Sequence, residues 1–191
     1  MWLATVTKRD VSNAVRALAS QSHDSCERHW EAVVKVLKYL NRTEYVLTFE
    51  RDHDRLSVYC DADYAKNETD GCSVSGVAVM YGVVLVSATS RAQHRVTLST
   101  TEAEYVALAE GAVLTFFRHQ TVSGCGEEHG IVLYKNNEGA KALAETPLSS
   151  GRSTRIAVRY YFIRELVGTG KVRVVYVDPG WQNANILTKP L

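Results

Sequence analysis

Leu56-Ser-Val-Tyr-Cys60 is a short, largely apolar, β-rich run that ends on a carboxylate, Asp61. A run of this length, preceded by the charged stretch Glu50–Arg55, reads as a buried strand and not as a helix. Open α/β sheets carry their functional groups at strand ends. The rest of the chain is therefore read for what it can bring to Asp61.

Ahead of this strand the apolar residues keep helical spacing. Val11, Ala14, Val15 and Leu18 predict a helix over Asp10–Ser20, with Asp10 placed to cap it. Ala32, Val33, Val36, Leu37 and Leu40 predict a second over Asp24–Leu40, where Asp24 and Glu27 resemble a capping box. The two form an αα-hairpin through a polar turn, Gln21–His23. From Tyr45 the pattern turns to strands: Tyr45–Phe49, Leu56–Cys60, then Ser73–Met80 and Val83–Ala88 as a hairpin around Tyr81-Gly82. Ser99-Thr-Thr-Glu102 opens a helix that runs to about Gln120. A strand at Ile131–Tyr134, helices at Asn137–Glu145 and Thr154–Val167, a strand at Val172–Val177 and a last short helix at Gln182–Lys189 complete an α/β layout with an antiparallel front end.

Glu104 is the acid best placed to meet Asp61. It shares a helix face with Ala107, Leu108, Gly111 and Thr115, and small residues at that spacing let a helix approach a sheet closely. Glu102 and Glu110 lie off that face. On the residues alone the pair stands beside the plainer reading that both are surface acids. Cys26, Cys60, Cys72 and Cys125 show no CxxC and no zinc-like spacing, which points to reduced thiols. His94, His119 and His129 have no paired spacing for a metal.

Composition narrows the class. In 191 residues, 46% apolar and 23% charged content is that of one globular domain with at most a small appendage. Val106–Phe117 is interrupted by Glu110 and is too short to span a bilayer, so no membrane role is expected. Met1–Asp10 lacks the pattern of a signal peptide, which points to a cytoplasmic location. The net charge of +1 is uneven: Arg152, Arg155, Arg159, Arg164, Lys171 and Arg173 face a single acid, Glu165, over that stretch. Such a patch, with Arg91 and Arg95, either meets phosphates or is a solvated face.

Asp61-Ala-Asp-Tyr64, Leu98-Ser-Thr-Thr-Glu-Ala-Glu-Tyr105, Tyr160-Tyr-Phe-Ile-Arg-Glu165 and Ile186-Leu-Thr-Lys-Pro-Leu191 together resemble the C-terminal ribonuclease H region of copia-type retrotransposon polyproteins. Leu3–Val11 and His29–Leu40 resemble the segment that joins reverse transcriptase to ribonuclease H in those elements. The resemblance implies a ribonuclease H-like fold: a mixed five-stranded sheet, three strands antiparallel and two parallel, flanked by helices and preceded by the αα-hairpin. It divides the chain into a connection segment, 1–44, and a ribonuclease H-like domain, 45–191. It implies hydrolysis of the RNA strand of an RNA–DNA hybrid by two Mg²⁺ or Mn²⁺ ions held by four carboxylates. It implies as partners the hybrid and the reverse transcriptase portion of the polyprotein, in the cytoplasm or in the element's particles there.

Carried over by position, the first two carboxylates are Asp61 and Glu104. The third follows the strand ending at Tyr134 in a Cys-Asp-Asn type sequence, which here is Lys135-Asn136-Asn137, placing Asn136 there. The fourth belongs to an Ala-Asp-Ile-Leu-Thr-Lys sequence, here Ala184-Asn185-Ile186, placing Asn185 there. Both changes are acid to amide, which keeps shape and removes charge, while Lys135 opposes cation binding. Thr154-Arg-Ile-Ala-Val-Arg159 also departs from a Lys-His-Ile-Asp-Ile-Arg pattern. Three readings remain: a degenerate nuclease domain, an active one in which Glu138 or Asp178 substitutes, and a binding module on the same fold.

Overall fold

A computed structural model describes residues 2–44, 48, 56–66, 71–122, 131–146 and 154–189, with the side chains of 117–122 and 154–160 left out. Five strands form one sheet in the order β3-β2-β1-β4-β5. They are β1 (Leu56–Asp63), β2 (Val74–Tyr81), β3 (Val84–Ala92), β4 (Ile131–Lys135) and β5 (Val172–Tyr176). β1 pairs antiparallel with β2 and β2 with β3, whereas β4 runs parallel to both β1 and β5. This is the ribonuclease H-like sheet that the resemblance implies. β1 is the central strand, and Asp61 lies opposite Gly76 of β2, one residue beyond the last pairing with β4, Cys60 with Lys135. The expected strand Tyr45–Phe49 lies outside the described residues, apart from Thr48.

Six α-helices accompany the sheet among the described residues: α1 (Trp2–Val6), α2 (Ser12–Ser20), α3 (Glu27–Arg42), α4 (Thr100–Val122), α5 (Glu138–Glu145) and α6 (Thr154–Gly168). α4, α5 and α6 cover one face. Val58, Cys60, Val77, Val79 and Leu133 from the strands pack there against Tyr105, Leu108, Ala112, Ala140, Ile163 and Leu166. On the other face Tyr59 stacks on Tyr134 at 4.8 Å between ring centres, and Ala78 packs on Ala184 and Leu187. The alternation of apolar side chains along β1 and β2 thus serves two covered faces. Gly82, at φ +57°, takes the first position of the two-residue turn between Tyr81 and Val84.

Several local expectations are corrected. The segment Gln182–Lys189 is no α-helix: short 3₁₀ turns at Pro179–Trp181 and Asn185–Leu187 replace it. Bonds from Leu187 N to Ala184 O and from Thr188 N to Asn185 O close the second turn, while packing on the sheet holds Ala184 and Leu187. Asp10 caps no helix. It lies in a 3₁₀ turn, Arg9–Val11, and its carboxylate accepts the Tyr39 hydroxyl at 2.6 Å. The cap of α3 is Cys26, not Asp24, and its N–H donates to His29 Nδ1 at 3.1 Å. α1, five residues long, was too short to show a period.

Candidate active site

α4 delivers Glu104 because its sheet-facing stripe is small. A Cβ on Gly111 would lie 2.3 Å from Cys60 Sγ, so glycine is what lets the helix rest on β1. One and two turns earlier, Ala107 and Ala103 pack on Ala62. The helix start is held by Ser99, whose hydroxyl accepts Glu102 N at 3.1 Å, and by the Glu102 carboxylate, which accepts Leu98 N at 2.7 Å. Glu104 is consequently buried beside Asp61, which is itself 1% exposed. Glu102 and Glu110 are half-buried, off the site-facing stripe as expected.

Asp61 sits opposite Gly76 in the β1–β2 register. A Cβ on Gly76 would lie 2.7 Å from Thr188 Cγ2 and 2.9 Å from Leu187 Cβ. The C-terminal turns therefore lie flat on the sheet, and Thr188 Oγ1 donates to Asp61 Oδ2 at 2.5 Å. Asn185 is brought to the same place. Its backbone carbonyl also accepts from Thr188 Oγ1, at 3.2 Å, and its side-chain oxygen accepts from Lys189 Nζ at 2.9 Å. Lys189 Nζ stands 3.9 Å from Asp61 Oδ2.

Asn136 directly follows β4 and faces the same cluster through Lys135. That lysine is 0% exposed. Its ammonium donates to Cys60 O at 2.7 Å and to Asn136 Oδ1 at 3.0 Å, is in ionic contact with Glu104 Oε2, and lies 3.9 Å from Asp61 Oδ1. Burial raises the Glu104 carboxyl above its ordinary range, partly offset by the charge and hydrogen bond of Lys135. Gln182, also buried, donates to the same Cys60 carbonyl at 3.0 Å. The fold thus gathers all four expected positions, Asp61, Glu104, Asn136 and Asn185. It adds Thr188, Gln182 and Lys189, to which sequence reasoning gave no place in the site, and makes Lys135, expected beside the third position as a charge opposing cations, a buried member of it. A signal existed for Lys135: Ile131, Leu133 and Lys135 share parity on β4, and the first two are core.

The two candidate substitute acids, Asp178 and Glu138, are both exposed. Asp178 is exposed and caps the turn after β5 by accepting Gly180 N at 2.8 Å. Glu138 is exposed in the first turn of α5. Among the described residues no three His, Cys, Asp or Glu side chains cluster as a metal site would require. Arg91 and Arg95 are exposed. Arg91 pairs with Ser75, which pairs in turn with Ala62, so it lies two strands, about 10 Å, from the residue after Asp61. Arg152 lies outside the described residues, and of Arg155 and Arg159 only the helical backbone is described.

No protein-family model matches the chain. Among curated proteins, the Pol polyprotein of transposon RE2 from Arabidopsis thaliana is 37% identical over 189 residues, which is 97% of this chain and 13% of that protein. Among solved structures, LC11-RNase H1 in complex with an RNA/DNA hybrid matches with a TM-score of 0.51 at 13% identity, covering 70% of this chain and 93% of that one. The chain is similar in sequence to a stretch of copia-type retrotransposon Pol polyproteins and has the ribonuclease H-like fold. It spans a small part, about one eighth, of the curated relative's length. A foamy viral protease-reverse transcriptase dRH in complex with double-stranded DNA matches with a TM-score of 0.55 at 12% identity, covering 91% of this chain and 29% of that one. No helix among the described residues of this ribonuclease H-like domain is long and apolar enough to cross a membrane.

The side chains present do not fit the pair of divalent ions that the family implies. When both carboxylates are ionised, the Lys135 and Lys189 ammonium groups already balance them. Two divalent ions at the close spacing of such sites, about 4 Å, need an excess of negative charge that this cluster lacks.

Proposed function

We propose that this ribonuclease H-like domain retains the family's fold and a nucleic-acid-facing surface but hydrolyses hybrid weakly or not at all. The observation that carries the reading is the pair of amides, Asn136 and Asn185, set beside Asp61 and Glu104 where the family has acids. Hydrolysis of a phosphodiester by this route requires metal-bound oxygens to activate water and to stabilise the leaving group. With two neutral ligands and two lysines at the site, neither task has its cation.

Binding has different needs. Arginine contacts to phosphates are independent of sequence and of catalysis, and Arg91 and Arg95 are exposed near the site. The RNA/DNA hybrid in the LC11-RNase H1 structure motivates hybrid as the ligand to test here. Residues 1–44 are assigned to the connection from reverse transcriptase. Supporting this, the match extends from 70% of the chain for a ribonuclease H alone to 91% for a structure that includes reverse transcriptase. In addition, α3 has no fully buried residue, Trp2 and Trp30 are exposed, and Leu3 and Leu37, also exposed, line an apolar groove of about 390 Å³. A reverse transcriptase portion docked on these helices would cover that surface.

A labelled RNA–DNA hybrid incubated with the protein in Mg²⁺ and in Mn²⁺ tests the reading. The expected result is binding that weakens with salt and no cleavage above background. Robust cleavage that Asp61→Asn abolishes would overturn it.

A further inference from the structure

We propose that Lys135 is a tethered cation: its ammonium fills the place between Asp61 and Glu104 that a divalent ion takes in the family, so the domain neutralises its site from within and binds no ion there. The inference rests on the reading of Asp61, Glu104, Asn136 and Asn185 as the former metal site.

The surroundings of Nζ are those of a cation site built from oxygen. An ammonium has three donors. They meet Cys60 O at 2.7 Å, Asn136 Oδ1 at 3.0 Å and Glu104 Oε2 in close ionic contact, with Asp61 Oδ1 as a fourth oxygen at 3.9 Å. Backbone carbonyl, amide and carboxylate oxygens are the ligands a hard divalent ion selects. Here they are arranged around nitrogen. Asn136 fits this exchange better than aspartate would, since one positive charge in place of two leaves a third carboxylate unbalanced. The remaining oxygen accounting agrees, because Glu104 Oε2 has no hydrogen-bond partner beyond that ionic contact.

The lysine is also fixed in place. Its backbone lies inside the sheet between Cys60 of β1 and Tyr176 of β5, and its carbonyl accepts Val177 N at 3.0 Å. With a fully buried side chain, it has no solvated rotamer to retreat to when an ion arrives. Lys189 differs: its side chain is 52% exposed and can swing away from Asp61. Lys135 is therefore the group that excludes the ion.

Metal-dependent melting tests this without reference to cleavage. Wild type is expected to keep one Tm in EDTA, Mg²⁺ or Mn²⁺. Lys135→Ala opens the space and should melt lower in EDTA, then gain about 5–10 °C at Mn²⁺ roughly 100-fold above its Kd. Lys135→Met, which removes the charge but keeps the volume, should melt lower and gain nothing. A Mn²⁺ response in wild type equal to that of Lys135→Ala, or none in Lys135→Ala, would overturn the proposal. Should Lys135→Ala fail to fold, wild-type NMR decides: equimolar Mn²⁺ should leave the amides of Cys60–Ala62 and Ala103–Tyr105 unbroadened, and selective broadening there refutes it. Cleavage of hybrid by wild type would instead overturn the proposed function. Mn²⁺ binding without cleavage would overturn the tethered cation alone.

Discussion

Two lysine–asparagine pairs stand on either side of Asp61, and they differ in where they sit. Lys135 and Asn136 belong to the dry side, under α4, with the lysine wholly buried. Lys189 and Asn185 belong to the C-terminal turns, with the lysine half in water. The chemistry is the same in both, an ammonium donating to a side-chain amide oxygen. Burial makes the first part of the core and leaves the second a surface arrangement. An ammonium–amide pair can thus be built into the interior on one side of a carboxylate and left at the surface on the other.

The largest effect should come from removing the buried member. Lys135→Ala leaves Glu104 and Asp61 without their internal cation, and breaking a buried ion pair costs about 3–5 kcal/mol. Lys189→Ala removes an exposed charge and should cost less than about 1 kcal/mol. Urea denaturation of both variants in EDTA measures the difference. Equal losses would mean that the two pairs are energetically alike and that burial does not separate them.

Glycines at the two faces sharpen the contrast at the level of packing. Gly111→Ala would press a methyl into the Cys60 thiol, against a core with no room to yield. Gly76→Ala would press on Thr188, Leu187 and the Ala184 carbonyl. Each should cost about 1–3 kcal/mol. Their effects on the site should differ. Gly111→Ala shifts Glu104 relative to Lys135, whereas Gly76→Ala lifts the C-terminal turns and the Thr188 hydroxyl from Asp61. NMR shifts of the Ala103–Tyr105 amides in the first variant and of Asn185–Thr188 in the second check this. The same set of shifts in both would show one cluster and not two sides.

Much of this was legible in the residues. The short β-rich runs marked the five strands of the sheet, and the small stripe Ala107, Gly111, Thr115 announced a helix that rests closely on it. That stripe made Glu104 the favoured companion of Asp61, with the surface-acid reading still open on the residues alone. Asn136 and Asn185 could not have been found from spacing, since an asparagine carries no signal of a lost acid, and they came from the resemblance alone. Lys135 was legible as a charge beside the site but not as its occupant, because a lysine in a strand is ordinarily a surface residue. Thr188 was hidden by the expected α-helix at Gln182–Lys189. A helix there would set the backbone of that segment in a different course from the two 3₁₀ turns that bring the hydroxyl to Asp61.

The dryness of the Lys135 side has its own measurable sign. Cys60 lies there with its thiol under Gly111, and burial pushes that thiol from an ordinary 9.0 up to about 12, with the nearby Lys135 charge pulling the other way. A raised value in the folded state means that the unfolded chain releases the proton first. The contribution to stability is therefore complete below pH 9.0 and is lost as pH rises toward 12. At pH 10 the loss should be about 1.4 kcal/mol relative to neutral pH. Tyrosines and lysines titrate in the same range, so the measurement is a difference: wild type against Cys60→Ala, unfolded in urea at pH 8 and at pH 10. Wild type should lose about 1.4 kcal/mol more than the variant over that interval. Parallel losses would show that water reaches Cys60, and a wet Cys60 would remove the physical ground for treating the two lysines differently.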